Sequence, residues 1–420
     1  DSVRLVCFPH CSNVVGEINP VIEITARAHA AGAFVCVDGV SYAPHGLPDV
    51  GGLGPDIYLF STYKTYGPHQ GCMVIRRALG EMLPNQGHHF NGGLLYQRFT
   101  PAGPDHAQIA ACAGIADYLD ALAAHHGVAA EHIVVGEGID GLLGYLVRLV
   151  VEPGDRVVTS AGAYPTFNYH VAGHGGVLDM LPFRDDREDL PALVARATET
   201  GAKLVYLANP DNPMGSYWRG EEIAAALDTL GPDVLMVLDE AYAEFAPEDA
   251  ALPLAIDDER VIRMRTFSKA YGIAGARVGY AMGATGLIRS FEKIRNHFGM
   301  NRSAQIGALA ALKDQEWLAE VLAQVGTARA EIARIAAENG LTALPSATNF
   351  VTVDCGGDGD LARAVVKALG ARGVFVRMPF VAPEDRCIRI SCGRAEDLAV
   401  LEEELPGALA EARAAVGVAV

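Results

Sequence analysis

Met236-Val237-Leu238-Asp239-Glu240-Ala241-Tyr242 is an apolar run that stops on an acid, and Lys269, thirty residues after Asp239, stands in Thr266-Phe267-Ser268-Lys269-Ala270-Tyr271-Gly272. A short apolar run bounded by turn-forming residues reads as a buried strand, which puts Asp239 at a strand end. Working outward, residues 156–159, 203–208, 261–265 and 278–281 have the same character and alternate with Ala-rich helical stretches. Residues 3–8, 33–37, 57–60 and 73–75 repeat the pattern nearer the N-terminus. Strand–helix alternation of this kind predicts an α/β fold with a mostly parallel sheet. From about residue 343 the rhythm changes to strand-like runs at 349–353, 374–377 and 387–391, which predicts a small C-terminal α+β domain. Apolar residues at spacings of three and four predict amphipathic helices over 106–122, 317–336 and 395–415.

The composition narrows the function. With 420 residues, 50% hydrophobic and 20% charged, the chain has ample material for sizeable cores and is not disordered as a whole. A net charge of −18 argues against wrapping nucleic acid, whose phosphates want a basic face. Apolar runs fall short of a membrane span. The eight Cys are dispersed without a Cys-x-x-Cys pair, which predicts reduced thiols and no metal site. A cytoplasmic enzyme with small-molecule substrates is the expectation. The chain begins at Asp1, and its first strand-like run follows almost at once, so a piece of a longer product is expected.

One chemical arrangement occurs twice. Asp38 ends the run Val35-Cys36-Val37, and Ser61-Thr62-Tyr63-Lys64-Thr65-Tyr66-Gly67-Pro68 follows. Asp239 and Lys269 repeat it, and both copies read Lys-x-Tyr-Gly after a small hydroxyl residue. A lone lysine is usually a surface charge, and a lone strand-end Asp is often a turn former. Together they suit pyridoxal phosphate: a lysine holds the cofactor as a Schiff base, and a carboxylate keeps its ring nitrogen protonated. The second copy carries more. Gly136-Glu137-Gly138-Ile139-Asp140-Gly141 opens a helix whose free N–H groups suit a phosphate. Thr266, Ser268 and Arg277 complete that cradle, Tyr164 can stack on a ring, and Asn212 and Tyr242 can hydrogen-bond a ring hydroxyl. Arg389 can fork onto a substrate carboxylate.

These motifs, with Asn209-Pro210-Asp211-Asn212-Pro213-Met214-Gly215, Asp239-Glu240-Ala241-Tyr242 and Arg389-Ile390-Ser391-Cys392-Gly393, make residues 117–415 resemble a class I/II aminotransferase of the pyridoxal-phosphate fold-type I superfamily. The nearest group is the histidinol-phosphate aminotransferases. The resemblance implies Lys269 as Schiff-base lysine and proton shuttle, Asp239 on the pyridine nitrogen, and Tyr242 beside them. It implies Arg389 on the substrate carboxylate, Arg377 near the distal group, and a homodimer. Residues 1–124 resemble the middle of a class V aminotransferase of the cysteine-desulfurase-like branch, with Asp38, His45, Ser61 and Lys64 as its constellation. Tyr63 stands where that branch has His, and no Cys is assigned as its sulfur acceptor.

The expected organisation is therefore a class V-like fragment over 1–124, a class I/II large domain over 125–335 and a small domain over 336–420, joined as a fusion or chimera. The expected reaction is amino transfer between an amino acid, or an amine like histidinol phosphate, and a 2-oxo acid. Two other readings stay open: a class V lyase or desulfurase using Lys64, and a non-catalytic recombined chain. The remaining features read plainly. His88-His89 and His125-His126 read as polar loop or helix-surface residues, and Trp218 and Trp317 as core or interface anchors. Asp185-Asp186-Arg187-Glu188-Asp189 reads as a solvated loop and helix start.

Overall fold

In the computed structural model, which describes residues 3–46, 48–65, 70–86, 95, 98–99, 117–252, 256–295 and 300–417, the apolar runs become strands. The chain divides into two compact units, Asp1–Tyr118 with Asn296–Arg302, and Leu119–Arg295 with Ser303–Val420. The first unit holds a four-stranded sheet in sequence order: β1 (Leu5–Pro9), β2 (Phe34–Asp38), β3 (Ile57–Ser61) and β4 (Gly71–Ile75). The first three run parallel, and β4 returns antiparallel beside β3. Val21 and Ala28 on the helix Val21–Ala30 pack with Val35, Val37 and Tyr58 to form its core.

The second unit is built on seven strands: β5 (Ile133–Gly136), β6 (Arg156–Ser160), β7 (Val177–Leu181), β8 (Leu204–Ala208), β9 (Leu235–Asp239), β10 (Val261–Thr266) and β11 (Gly279–Met282). Their order is β5-β11-β10-β9-β8-β6-β7, and only β11 runs against its neighbours. Every residue of β8 and β9 is buried, as expected of central parallel strands covered on both faces. The period-2 alternation of strands divides those faces. Val205, Leu207, Met236 and Leu238 meet helices Leu190–Thr200 and Gly220–Thr229. Leu204, Tyr206, Leu235 and Val237 meet helix Gly138–Val150 and Phe167. Asp239 shares its parity with Leu235 and Val237, so it continues the face that carries Tyr206.

A three-stranded antiparallel sheet, β12 (Thr342–Ala343), β13 (Phe350–Asp354) and β14 (Cys387–Ser391), ends the chain's strand content. Helices Gln315–Glu338, Gly359–Ala371 and Ala395–Val416 share its core through Ile332, Leu361, Val365 and Leu401. The sheet with its helices is α+β in character. The strand expected over 374–377 is absent: Arg377 makes one isolated bridge to Arg389, and the neighbouring Phe375 side chain is 81% exposed. Strands β5 and β7 were not anticipated. Of the helix expected over 106–122, residues 117–122 are helical within a stretch running to 126, and 106–116 lie outside the described residues. Tyr66, Gly67, His88 and His89 lie outside them too. Among the described residues no helix is long and apolar enough to cross a membrane.

Candidate active site

The carboxyl ends of β8, β9 and β10 converge on one cleft of about 260 Å³. Ligands in open parallel sheets bind outside these ends, where loops and helix N-termini gather. Ile139, Asp140, Tyr164 and Asn212 line it from loops and a helix start, and Asp239 and Tyr242 from the end of β9. Thr266, Ser268, Lys269 and Arg277 close the other side.

At the back, Asp239 is 8% exposed. Its Oδ2 accepts the Tyr206 hydroxyl at 2.6 Å, and its Oδ1 accepts the Ala241 N–H at 2.9 Å. Burial raises the Asp239 pKa, while Tyr206, Ala241 and the nearby Lys269 charge pull it back down. The Lys269 ammonium lies 5.2 Å from the centre of the Tyr242 ring. Burial lowers its pKa; Asp239 opposes that, and Arg389, Arg377 and Arg277 reinforce it. A lysine so placed is readier to act as an amine nucleophile or base than one in water.

One wall is a phosphate-sized cradle. Gly138 starts its helix at φ +84°, a left-handed conformation that glycine tolerates. A Cβ there would lie 2.5 Å from Arg277 Nη2. A Cβ on Gly279 would lie 2.6 Å from the Gly138 carbonyl carbon, so the two backbones touch. Across from the helix start, Ser268 N–H donates to Thr266 Oγ1 at 3.0 Å, with the two hydroxyls 2.9 Å apart. Arg277 Nη1 donates to the Ala274 carbonyl at 3.0 Å. Asp140 in the first turn pairs with His170 Nε2 at 2.8 Å. Backbone N–H groups, two hydroxyls and a guanidinium suit a dianionic phosphate, and the acid and lysine suit a pyridine aldehyde. The residues present fit pyridoxal phosphate.

Arg389 donates to Asn212 Oδ1 and stacks 4.7 Å over the Phe350 ring. Arg377 sits directly opposite it in the bridge, each N–H donating to the other's carbonyl at 3.1 and 2.6 Å. Opposed residues in an antiparallel pair project to the same side, so the two arginine side chains share one edge. Sequence reasoning missed Tyr206 and Phe350, and it read Glu188 and Asp189 as part of a solvated loop and helix start, whereas both are buried and Asp189 caps the helix that follows. A Tyr inside an apolar strand is a usable signal, because a buried hydroxyl needs a partner.

The Asp38 constellation differs. Asp38 and His45 are exposed, and Asp38 Oδ1 accepts the Val40 N–H at 2.9 Å. Ser61 and Lys64 are half-buried at the end of β3, and no hydrogen bond joins them to Asp38 among the described residues.

Known proteins align with both halves. The model described as aminotransferase class I and II matches residues 97–405, and that described as aminotransferase class-V matches 1–122. Histidinol-phosphate aminotransferase 2 of Ralstonia nicotianae is 36% identical over 326 residues, covering 75% of this chain and 87% of its own. Histidinol-phosphate aminotransferase of Haloferax volcanii is 33% identical over 351 residues, covering 79% and 92%. Among solved structures, the histidinol-phosphate aminotransferase of Sinorhizobium meliloti in complex with pyridoxal-5'-phosphate shares 55% identity at a TM-score of 0.69, covering 70% of this chain and 81% of that one. A cleft that fits the cofactor, on a sheet these relatives share, leads to one conclusion: the chain belongs to the class I and II aminotransferases, pyridoxal-phosphate-dependent enzymes of fold type I.

Proposed function

We propose that this aminotransferase takes an amino group from an amine with a distal anion, of the histidinol phosphate kind, and delivers it to a 2-oxo acid. The observation that carries this reading is the pairing of Arg389 with Arg377 on one edge, which offers two anion sites beside Lys269. The names of the relatives support the same donor.

When bound, pyridoxal phosphate supplies an aldehyde that condenses with amines and a ring that accepts electron density from the adjacent carbon. The chain's residues do the rest. N–H groups of Gly138, Ile139 and Asp140, with Thr266, Ser268 and Arg277, hold the phosphate. Asp239, whose charged form the Tyr206 hydroxyl favours against burial, would hold a proton at the ring nitrogen. Asn212 and Tyr242 hydrogen-bond the ring hydroxyl, and Tyr164 covers a face. Lys269 Nζ would hold the cofactor through its aldehyde, and with its pKa lowered by burial the same amine would serve as the base that moves a proton at the reacting carbon. Arg389 orients the 2-oxo acid's carboxylate by a two-pronged contact, and Arg377 takes the distal anion.

We further propose a homodimer, a cytoplasmic location, and a chain made of a class V-like piece over 1–124 ahead of a large domain over 125–335 and a small domain over 336–420. The Asp38, His45, Ser61 and Lys64 group is assigned no step. The reading is tested by supplying the purified holoenzyme with histidinol phosphate and a 2-oxo acid and following the new amino acid. Turnover that falls when the donor's phosphate is removed supports the two-arginine reading. Equal turnover of histidinol and its phosphate would remove the distal anion site.

A further inference from the structure

The four-stranded sheet of the first unit has two unlike faces. Val35, Val37 and Tyr58 pack with Val21 and Ala28 of the helix Val21–Ala30. Residues of the other parity, Leu5, Cys7, Phe34 and Cys36 among them, lie on the opposite face. Cys7 is exposed there and Cys36 is half-buried. Register pairs Cys7 directly with Cys36 across the parallel β1–β2 ladder, so two thiols leave neighbouring strands on the same side. They act on each other: burial, then the adjacent Cys7 thiol and the Asp38 carboxylate, raises the Cys36 pKa. The two cysteines are far apart in the chain, and only strand register brings them together.

Spacing decides what such a pair can hold. Neighbouring strands lie about 4.8 Å apart. A disulfide wants its Cβ atoms about 3.8 Å apart, so the strands would have to close by roughly 1 Å. Two metal–thiolate bonds of about 2.3 Å laid in line span about 4.6 Å, close to the strand spacing. Ligand number narrows the choice of ion. A structural zinc takes four ligands, and no cluster of three or more His, Cys, Asp or Glu able to hold a metal ion occurs among the described residues. Leu5, Phe34 and Ile57, neighbours in the register, bring no side-chain oxygen for a hard cation. Asp38, two residues along β2, sets a negative charge on the same face. Two thiolates in an apolar setting suit a soft cation content with two ligands.

We propose that Cys7 and Cys36 form a two-thiolate site for a soft monovalent cation of the copper(I) kind, in the first unit and outside the aminotransferase reaction. On binding, both S–H bonds break and two sulfur–metal bonds form. Two protons pass to solvent, the complex carries one net negative charge, and no electron is transferred.

The test uses the full-chain holoenzyme, reduced, desalted and kept free of oxygen. Copper(I) is supplied from a coloured copper(I) chelator, and its withdrawal is followed by loss of that colour. The protein should withdraw one equivalent, and X-ray absorption should show two sulfur neighbours. C7S and C36S should each weaken retention at least about tenfold, because each leaves a single thiol without its chelating partner, while the cofactor absorbance persists. C11S and C72S should retain the ion. No withdrawal of copper(I) overturns the proposal. So does retention that survives C7S or C36S, retention lost in C11S or C72S, or a shell of three sulfurs. Should C36S not fold, C7S at the exposed position decides the matter.

Discussion

Tyr206 and Asp239 lie on adjacent parallel strands, and the phenol hydroxyl reaches the carboxylate at 2.6 Å in a fully buried setting. Register pairs Tyr206 with Val237 and Ala208 with Asp239, so the contact is diagonal across one face of the sheet. A donor at that distance favours the ionised carboxylate against the burial that opposes it. The charge needed beside a pyridine nitrogen is thus prepared by a residue outside the recognised motifs.

Tyr206→Phe tests this. It removes one hydrogen bond to a charged group, worth about 1.5–3 kcal/mol. The dissociation constant for pyridoxal phosphate, read by absorbance titration, should rise roughly ten- to hundredfold, with the circular dichroism spectrum unchanged. Unchanged affinity would mean that Tyr206 is only a packing residue.

Gly138→Ala should fail at the cradle. The left-handed φ of +84° costs a residue with a side chain about 1–2 kcal/mol, and the new Cβ would push Arg277 aside. Phosphate affinity should fall more than thermal stability does. Comparing pyridoxal phosphate with pyridoxal isolates the effect, because only the former should lose affinity.

Arg389→Lys keeps the charge and loses the fork. The KM for the 2-oxo acid should rise about tenfold or more, with a smaller change in kcat. A KM that stays put while kcat falls would point to a role in the chemical step instead.

Glu188 gives a pH signature. It is buried behind the cleft, accepting from Ser160 at 2.7 Å and Ala208 N–H at 3.2 Å. Burial, and then the Asp211 charge, push its pKa up from the ordinary 4.5 to about 8. Between those values the unfolded chain gives up the proton and the folded chain keeps it, so stability falls as pH rises through that window. Glu188→Gln has no proton to lose, so its stability should fall less from pH 5 to pH 8 by chemical denaturation. Parallel curves for the two proteins would show that Glu188 is ionised in the fold.

Much of the architecture was legible because it rests on local pattern. The buried run ending in Asp239 announces a central strand by its unbroken apolarity, and β8 and β10 lie within a residue of the expected bounds. Strand β5 escaped notice because it is four residues long, and β7 because Asp179 interrupts it. Residues 374–377 form a short β-branched and aromatic run like a strand, yet only Arg377 finds a partner across from it. Within the cleft, Gly138, Asp239, Lys269 and Arg277 were visible as motif residues. Tyr206 and Phe350 act through strand register, which pairs residues far apart in the chain, so the Tyr inside the apolar run 204–208 signals a buried hydroxyl without naming its partner. The two aspartates ending apolar strands look equivalent in sequence. Burial separates them: Asp239 is enclosed and bonded to Tyr206, and Asp38 faces solvent.

The most direct test of the central claim is to load the protein with pyridoxal phosphate, reduce it with borohydride and map the labelled peptide. Borohydride fixes a carbonyl cofactor to the lysine that holds it. A single label on Lys269, lost in Asp239→Ala or weakened in Tyr206→Phe in step with affinity, is the predicted result. A label on Lys64, or on neither lysine, would contradict the account.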